Sequence, residues 1–285
     1  MSDTSARGVI LALTSDLFIV PRLQDIGRKA GFDVLIADSP LTLGAEGAPS
    51  QRRIPLTEPL EGPDAALLRK VVDLRPSLVL VDLDSQTIPW RRWVQVLKTS
   101  AATRRIPILA FGPHVEEQSL QAARSAGADQ ALPRGQLLGS LAGLIQEWAR
   151  VDDEQGLRQA CQGALSPLAR QGVELLGAGE FFEAHEALEH AFLEAPELEG
   201  YLYRALLQVA VAYLHVERGN FRGAVKMMLR LQQWLEPLPD MCRGVDLVRL
   251  KAQVQAFWQA LEAAGSEGLP SLDRTLLKPI PLLDS

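Results

Sequence analysis

Cysteine, histidine and aromatic residues are all scarce in this chain. Of 285 residues, two are cysteine, four are histidine and 6% are aromatic. The cysteines, Cys161 and Cys242, lie far apart with no CxxC spacing. That excludes a thiolate zinc site and fits a reducing cytosol with both side chains buried as small apolar residues. Positive charge is also short, with 29 Lys and Arg against 35 Asp and Glu, a net charge of -6. A mildly acidic chain gains nothing from the phosphate attraction behind general nucleic-acid binding. Arg7, Arg52, Arg53 and the Arg91-Arg92 pair are too scattered to form a basic patch. Long hydrophobic runs are missing too. The N-terminal MSDTSARGVILALTSD has an apolar run that stops at Asp16, too short for a membrane span and without a small-residue cleavage site. The expectation is a soluble, cytoplasmic protein that binds neither membrane nor nucleic acid.

What is present is enough apolar residue, 47% of the chain, for two ordinary cores. Residues 1–150 alternate strand and helix signals. VILAL at 9–13 reads as a buried strand, and Leu17, Leu23, Ile26 and Ala30 follow at helical spacing, with Gly31 in place as a C-cap. FDVLIAD is a second strand, residues 40–62 a long Gly-, Pro- and Ser-rich loop, and DAALLRKVVDL an amphipathic helix. PSLVLVDLD and IPILAFG are continuous apolar strands suited to a parallel sheet covered on both faces. RRWVQVLKTS, EEQSLQAARSAGA and LLGSLAGLIQEWAR supply helices, and QALP a short fifth strand. Five β-α units imply a doubly wound α/β sheet, whose sites lie at the carboxyl ends of the strands. Those ends carry Ser15 and Asp16, Asp82 and Asp84, and Gly112.

These strands, with SAGADQALPRG, resemble the receiver domain of response regulators over about residues 7–150. The resemblance implies a flavodoxin-like fold with an acidic pair that holds magnesium after the first strand. It also implies a phosphoacceptor aspartate after the third strand, stabilised by a hydroxyl residue and a lysine. Carried over by position, Asp82 is the candidate phosphoacceptor. The acidic pair is replaced by Thr14-Ser15 with Asp16 displaced, the hydroxyl position is Gly112, and the lysine-proline pair is Arg134-Gly135. A phosphoryl group needs a metal and fixed positive charge. The expectation is therefore a degenerate receiver used for docking or dimerisation. Asp82 has a plainer reading, as a solvated carboxylate that caps its own loop. Arg91-Arg92-Trp93 reads as a docking surface or, more simply, a solvated face.

From residue 152 the strand signals stop. EQGLRQACQGALSPLARQGVELLGAG is a helix with a break expected at Ser166-Pro167. EFFEAHEALEHAFLEA, LEGYLYRALLQVAVAYLHVERG, FRGAVKMMLRLQQWLEPL and VDLVRLKAQVQAFWQALEAAG complete an all-α bundle of about five helices over residues 151–285, followed by an extended, Pro-rich tail. Met227, Met228 and Trp234 read as core. At about 100° per residue, His185 lies on the apolar stripe of Phe181, Leu188 and Phe192, and Glu189 borders it, with Glu186 farther round. On the next helix Arg204, Gln208 and His215 share a narrow polar stripe within an otherwise apolar surface. Buried polar groups need partners, so an internal polar layer of His185, Glu186, Glu189, Arg204, Gln208 and His215 is expected between the two helices.

GEFFEAHEALEH and YRALLQVAVAYLHVERGNFRGA also resemble the domain of unknown function 309 family, over about residues 165–262. The matching positions are Gly179, Glu180, Glu183, His185, Glu186, Glu189, Gln208, His215, Arg218, Gly219 and Asn220, while Phe192 stands where that family more often has tryptophan. The resemblance implies a small all-helical fold and no reaction. Three readings of the layer therefore stay open. It is a structural network, or a divalent-metal site built on His185, Glu189 and His215, or a small-molecule or peptide pocket with His185 as a base oriented by Glu189. The reading for the whole chain is a regulatory protein acting through a protein partner or a homodimer. The alternative is a metal-binding or hydrolytic enzyme centred on the His/Glu layer.

Overall fold

The computed structural model describes residues 7–44, 61–113 and 117–283. Contacts divide the chain into two compact units, Met1–Val151 and Asp152–Ser285. Most of the Gly/Pro-rich loop expected at 40–62, including Arg52 and Arg53, lies outside the described residues. Its first part forms a 3-10 turn at Leu41–Leu43.

In the first unit the order is β1 (Val9–Leu13), α1 (Val20–Lys29), β2 (Asp33–Ala37), α2 (Gly62–Leu74), β3 (Leu78–Asp82), α3 (Trp90–Thr99), β4 (Ile108–Gly112), α4 (Glu117–Ala126), β5 (Gln130–Pro133) and α5 (Arg134–Trp148). The strands form one parallel sheet in the order β2-β1-β3-β4-β5. This is a receiver-type arrangement of five parallel strands with flanking helices. Every residue of β3 and β4 is buried, as their unbroken apolar runs require, while edge strand β2 alternates exposed and covered positions. On one face Ile10, Ala12, Leu78, Leu80, Leu109 and Phe111 pack with Leu23 of α1 and Leu137, Leu141 and Ile145 of α5. Helices α2, α3 and α4 contact one another in sequence. Each fully buried leucine contributes about 1.5–3 kcal/mol by leaving water.

Three expectations need correction here. Helix α1 starts at Val20, not near Leu17, because Asp16 caps the turn before it through the Phe18 amide; Leu17 and Phe18 are left 76% and 96% exposed. Trp93 is not a docking residue, since it is 1% exposed and belongs to the core. Its neighbour Arg92 clamps the buried Asp64 through Nε and Nη2, at 2.9 and 2.7 Å.

The second unit comprises α6 (Glu154–Ala160), α7 (Pro167–Ala178), α8 (Phe181–Glu194), α9 (Gly200–Glu217), α10 (Phe221–Leu235) and α11 (Leu247–Gly268). The break at Ser166-Pro167 separates α6 from α7: Ser166 caps α7 by accepting the Ala169 amide, with Pro167 at the first helical position. Gly179, in the left-handed region at φ 83°, ends α7 and turns the chain into α8. Asn220 accepts the Gly223 amide at 2.9 Å and starts α10, as its position between two helical patterns suggests. Helix α9 is the buried centre, with Leu202, Tyr203, Leu206, Val209 and Tyr213 all 1% exposed or less. Met228 and Trp234 are buried, as expected of core, while Met227 is partly covered.

Strands do not stop entirely at residue 152. A hairpin of β6 (Met241–Cys242) and β7 (Val245–Asp246) follows α10, and Val245 bridges to Leu282 in the tail. These two-residue strands are too short to leave an alternating pattern. The tail itself carries two 3-10 turns, Leu269–Ser271 and Arg274–Leu276. The cysteines are not free apolar residues either: Cys161 and Cys242 form a disulfide. Pairing across 81 residues is set by the fold and leaves no trace in spacing. Among the described residues no helix is long and apolar enough to cross a membrane.

Helices α7 and α8 meet at Gly172. A methyl group there would lie 2.6 Å from Leu188 Cγ and 3.3 Å from the Ala184 carbonyl oxygen. Gly172→Ala should destabilise the helical unit by about 1–3 kcal/mol through overpacking, despite the higher helix propensity of alanine. Urea denaturation monitored by circular dichroism is the check.

Candidate functional site

Two clusters of sequence-selected residues can be located, one in each unit. The first lies at the carboxyl ends of β1 and β3 and the start of α5. Asp82 ends β3 and is 1% exposed. Its Oδ2 accepts the Thr14 hydroxyl at 2.8 Å, and its Oδ1 accepts the Asp84 amide at 3.1 Å. Asp82 accepts the Asp84 amide of its own loop, as the plainer reading expected, but it is buried where that reading had it solvated. Arg134, the first residue of α5, reaches back across the strand ends. Its Nη2 donates to Asp82 Oδ1 at 3.1 Å and Oδ2 at 3.4 Å, and its Nη1 donates to Asp16 Oδ2 at 2.8 Å. Asp84 Oδ2 stands 3.6 Å from the same Nη2. The Thr14 hydroxyl also accepts the Asp16 amide at 3.1 Å, which ties the first loop to Asp82. One guanidinium thus lies among three carboxylates, and both oxygens of Asp82 already hold donors.

The receiver resemblance implies a magnesium ion in this region. The residues present do not fit one. An octahedral divalent ion needs open carboxylate oxygens at about 2.0–2.1 Å. Here a fixed cation is hydrogen-bonded to those oxygens, and Thr14 and Ser15 stand where the acidic pair would be. Ser15 instead hydrogen-bonds Ser85 through the two hydroxyls at 3.0 Å. The sequence marked Arg134 only as a departure from a lysine. Its position directly after β5, at the functional end of a parallel sheet, was the available signal.

The second cluster spans α8 and α9. Two aromatic–guanidinium contacts bracket it: Arg218 sits 5.6 Å from the Phe182 ring centre at one end, and Arg204 sits 4.4 Å from the Phe192 ring at the other. Between them, on facing stripes, come His185 and Glu189 of α8 and Gln208 and His215 of α9. The six residues expected to form an internal layer differ in burial. Glu186 and Glu189 are exposed. His185 Nε2 faces Glu189 Oε2 at 3.9 Å on its own helix. Arg204 lies between the rings of Phe192 and Trp234, at 4.4 and 4.5 Å. The reason is packing: Ala184, Ala187, Leu188 and Ala191 bring α8 close to its neighbours and leave the glutamates at the rim, where they keep their hydration. Among the described residues no group of three or more His, Cys, Asp and Glu side chains is placed to hold a metal. The candidate ligands His185, Glu189 and His215 therefore do not converge as a metal set.

Two polar atoms in this groove are nevertheless shielded and lack a hydrogen-bond partner, His185 Nδ1 and Gln208 Oε1. A ring nitrogen accepts or donates according to the tautomer, whereas Gln208 Oε1 is an acceptor. Gln208 Oε1 could therefore accept from a group that carries an N–H or O–H. Farther along, His215 Nδ1 faces Asn220 Nδ2 at 3.2 Å, and its ring lies against Gly223, where a methyl group would come within 2.5 Å of Nδ1. Burial, and then the Arg218 charge, hold the His215 pKa below its usual value. Burial pushes the Tyr213 hydroxyl up to about 12, against a smaller opposing effect from the Lys278 backbone.

Residues 169–227 match the domain of unknown function DUF309. The DUF309 segment contains α8, α9 and the start of α10, hence the whole groove. A search among curated proteins gave no significant match. Solved structures similar to the chain include the receiver domain of the sensor histidine kinase PA1611 from Pseudomonas aeruginosa PAO1, crystallised with magnesium coordinated in its active-site cleft. It is 14% identical, with 50% of this chain and 96% of that chain covered and a TM-score of 0.37. The phosphorylated cyanobacterial phytochrome response regulator RcpA is 15% identical over 52% of this chain and 100% of its own, with a TM-score of 0.39. Full-length FixJ from B. japonicum is 18% identical over 80% and 98%, with a TM-score of 0.33. The strand order, not these distant likenesses, carries the receiver-type reading of the first unit.

The depressed His215 pKa has a sign. The unfolded chain binds a proton on this histidine at higher pH than the folded chain does, so the folded state gains stability from it at neutral pH. That gain is lost as the pH falls from about 6.5 through the folded value. Thermal melts should therefore show the helical unit losing stability between pH 7.5 and 5.5, and His215→Gln should flatten that part of the profile.

Proposed function

We propose that this chain is a cytoplasmic regulatory protein whose receiver-type unit docks a protein partner or a second copy of itself without a phosphorylation cycle. The helical unit carries the output by protein–protein contact. The observation that supports this is Arg134. A phosphoacceptor must offer a free carboxylate oxygen next to a metal, and Asp82 offers neither while the guanidinium donates to both its oxygens. The fixed charge of Arg134 takes the place of a cation that would otherwise come and go. A unit wired in this way rests in one state, and its partner would read that state continuously. Incubation with acetyl phosphate and magnesium should leave the intact mass unchanged, and partner or self-association should be the same with and without the phosphodonor. Stoichiometric acid-stable, hydroxylamine-labile addition of phosphate, lost in Asp82→Asn, would overturn the reading. Arg134→Ala should lower the stability of the receiver-type unit by on the order of 2 kcal/mol, because Asp82 stays buried without its cation. It should also create weak magnesium binding, measurable by calorimetry, that the wild type lacks.

A second reading is favoured by the unpartnered polar atoms His185 Nδ1 and Gln208 Oε1. It makes the surface of α8 and α9 around these two atoms a site for a small ligand or peptide, with hydrolytic chemistry as its extended form. Native mass spectrometry of wild type and His185→Ala separates the cases. A co-purifying ligand that disappears from the folded variant supports the site. An empty wild type and a variant that only melts earlier leave the groove structural.

A further inference from the structure

We propose that Cys161–Cys242 is a reversible redox clasp that fixes α6 onto the helical unit, and that its reduction frees this segment while the rest of the unit stays folded. The proposal starts from what the disulfide joins. Cys161 directly follows α6, the first element after the boundary at Val151. Cys242 ends β6 in a hairpin whose other strand bridges to the tail at Leu282. Helix α6 has seven residues and one buried side chain, Leu157. A helix that short does not hold itself in water and depends on what ties it down.

Two ties meet at the C-terminal end of α6, one covalent and one not. Arg243 occupies the hairpin turn in the left-handed region, at φ 50°, next to Gly244 at φ 83°. From there its backbone amide donates to the Cys161 carbonyl at 2.8 Å, its Nε to the Ala160 carbonyl at 2.8 Å and its Nη1 to the Ala164 carbonyl at 3.0 Å. Its Nη2 pairs with Glu199 at 2.7 Å. Arg243 thus gathers carbonyls at the end of α6 and in the loop after it. When the covalent tie opens, this second tie keeps the two thiols near each other, so closure remains intramolecular. With two cysteines in the chain there is no wrong intramolecular pairing to compete.

The remainder of the unit does not need the clasp. Helices α7 to α11 carry their own apolar core, with Val173, Leu188, Leu206, Leu229 and Phe257 each at most 4% exposed. Cys161 is partly exposed and Cys242 is buried, so the proposal places attack at Cys161 Sγ. The thiolate of a dithiol reductant attacks Cys161 Sγ, and the Cys242 sulfur leaves and takes a proton. The second thiol of the reductant then displaces Cys161, so the reductant becomes a disulfide and the protein holds two thiols. In a thiol-reducing compartment, a disulfide that opens without unfolding its host is a sensor rather than a staple. The inference rests on the cytoplasmic placement proposed above, but the test does not.

The test is hydrogen–deuterium exchange on the full chain, oxidised and in excess dithiothreitol without denaturant. Alkylation should find two new thiols. Amides of residues 154–166 and 241–246 should exchange about tenfold faster or more, and those of α7 to α10 should be unchanged. Adding glutathione disulfide should restore one intramolecular disulfide and the original protection. Cys161→Ser/Cys242→Ser should show the open pattern in either buffer. A disulfide untouched by excess dithiol, cooperative unfolding of the whole unit on reduction, or reduction with no local change would each overturn the proposal. Cell fractionation addresses the placement separately: a secreted protein that passes the exchange test keeps the clasp and loses only its cytoplasmic role.

Discussion

A single guanidinium organises the functional end of the receiver-type unit. Three acidic residues converge where β1 and β3 end, and Asp82 among them is buried. Uncompensated, that charge would be costly in a low-dielectric site. Arg134 offsets it from the first turn of α5, and by doing so joins the loop after β1, the end of β3 and the start of α5. The planar fork suits the task, because Nη1 and Nη2 can serve different carboxylates at once. A lysine would place one point charge there. The same bonds that stabilise the strand ends occupy the oxygens that phosphoryl chemistry would need. The bonds that stabilise the strand ends and the bonds that cover the Asp82 oxygens are therefore the same bonds.

The helical unit resolves a similar conflict differently. Arg204 lies over the rings of both Phe192 and Trp234, so its plane is covered by two aromatic faces. Glu186 and Glu189 are exposed. His185 and Gln208 each hold one shielded polar atom without a hydrogen-bond partner, inside the segment that matches DUF309. The disulfide Cys161–Cys242 ties the end of a short helix that has one buried side chain.

Much of the fold was legible before any coordinates. Continuous apolar runs at residues 78–81 and 108–111 read as covered strands, and Ser166-Pro167 announced a helix start. The candidate sites were less legible. Angular position on a helix placed His185 and Glu189 inward and paired them with Arg204, Gln208 and His215, but angle says nothing about depth. Glu189 lies near the inward direction and is still exposed, because small alanines let the helices close below it. Thr14 and Arg134 looked like departures from a pattern, yet they are the residues that engage Asp82.

By itself the sequence determined the order of elements, the two-part division of patterns and the residue identities at the strand ends. The first two follow from local periodicity, which acts over a few neighbouring positions. Only the tertiary structure decided that Arg134 reaches Asp16 across 118 positions, that Cys161 meets Cys242, and that Glu186 and Glu189 stay exposed. Such outcomes depend on distances between elements remote in the chain. Those distances are set by how side-chain volumes pack, a property of pairs that no single stretch of sequence contains.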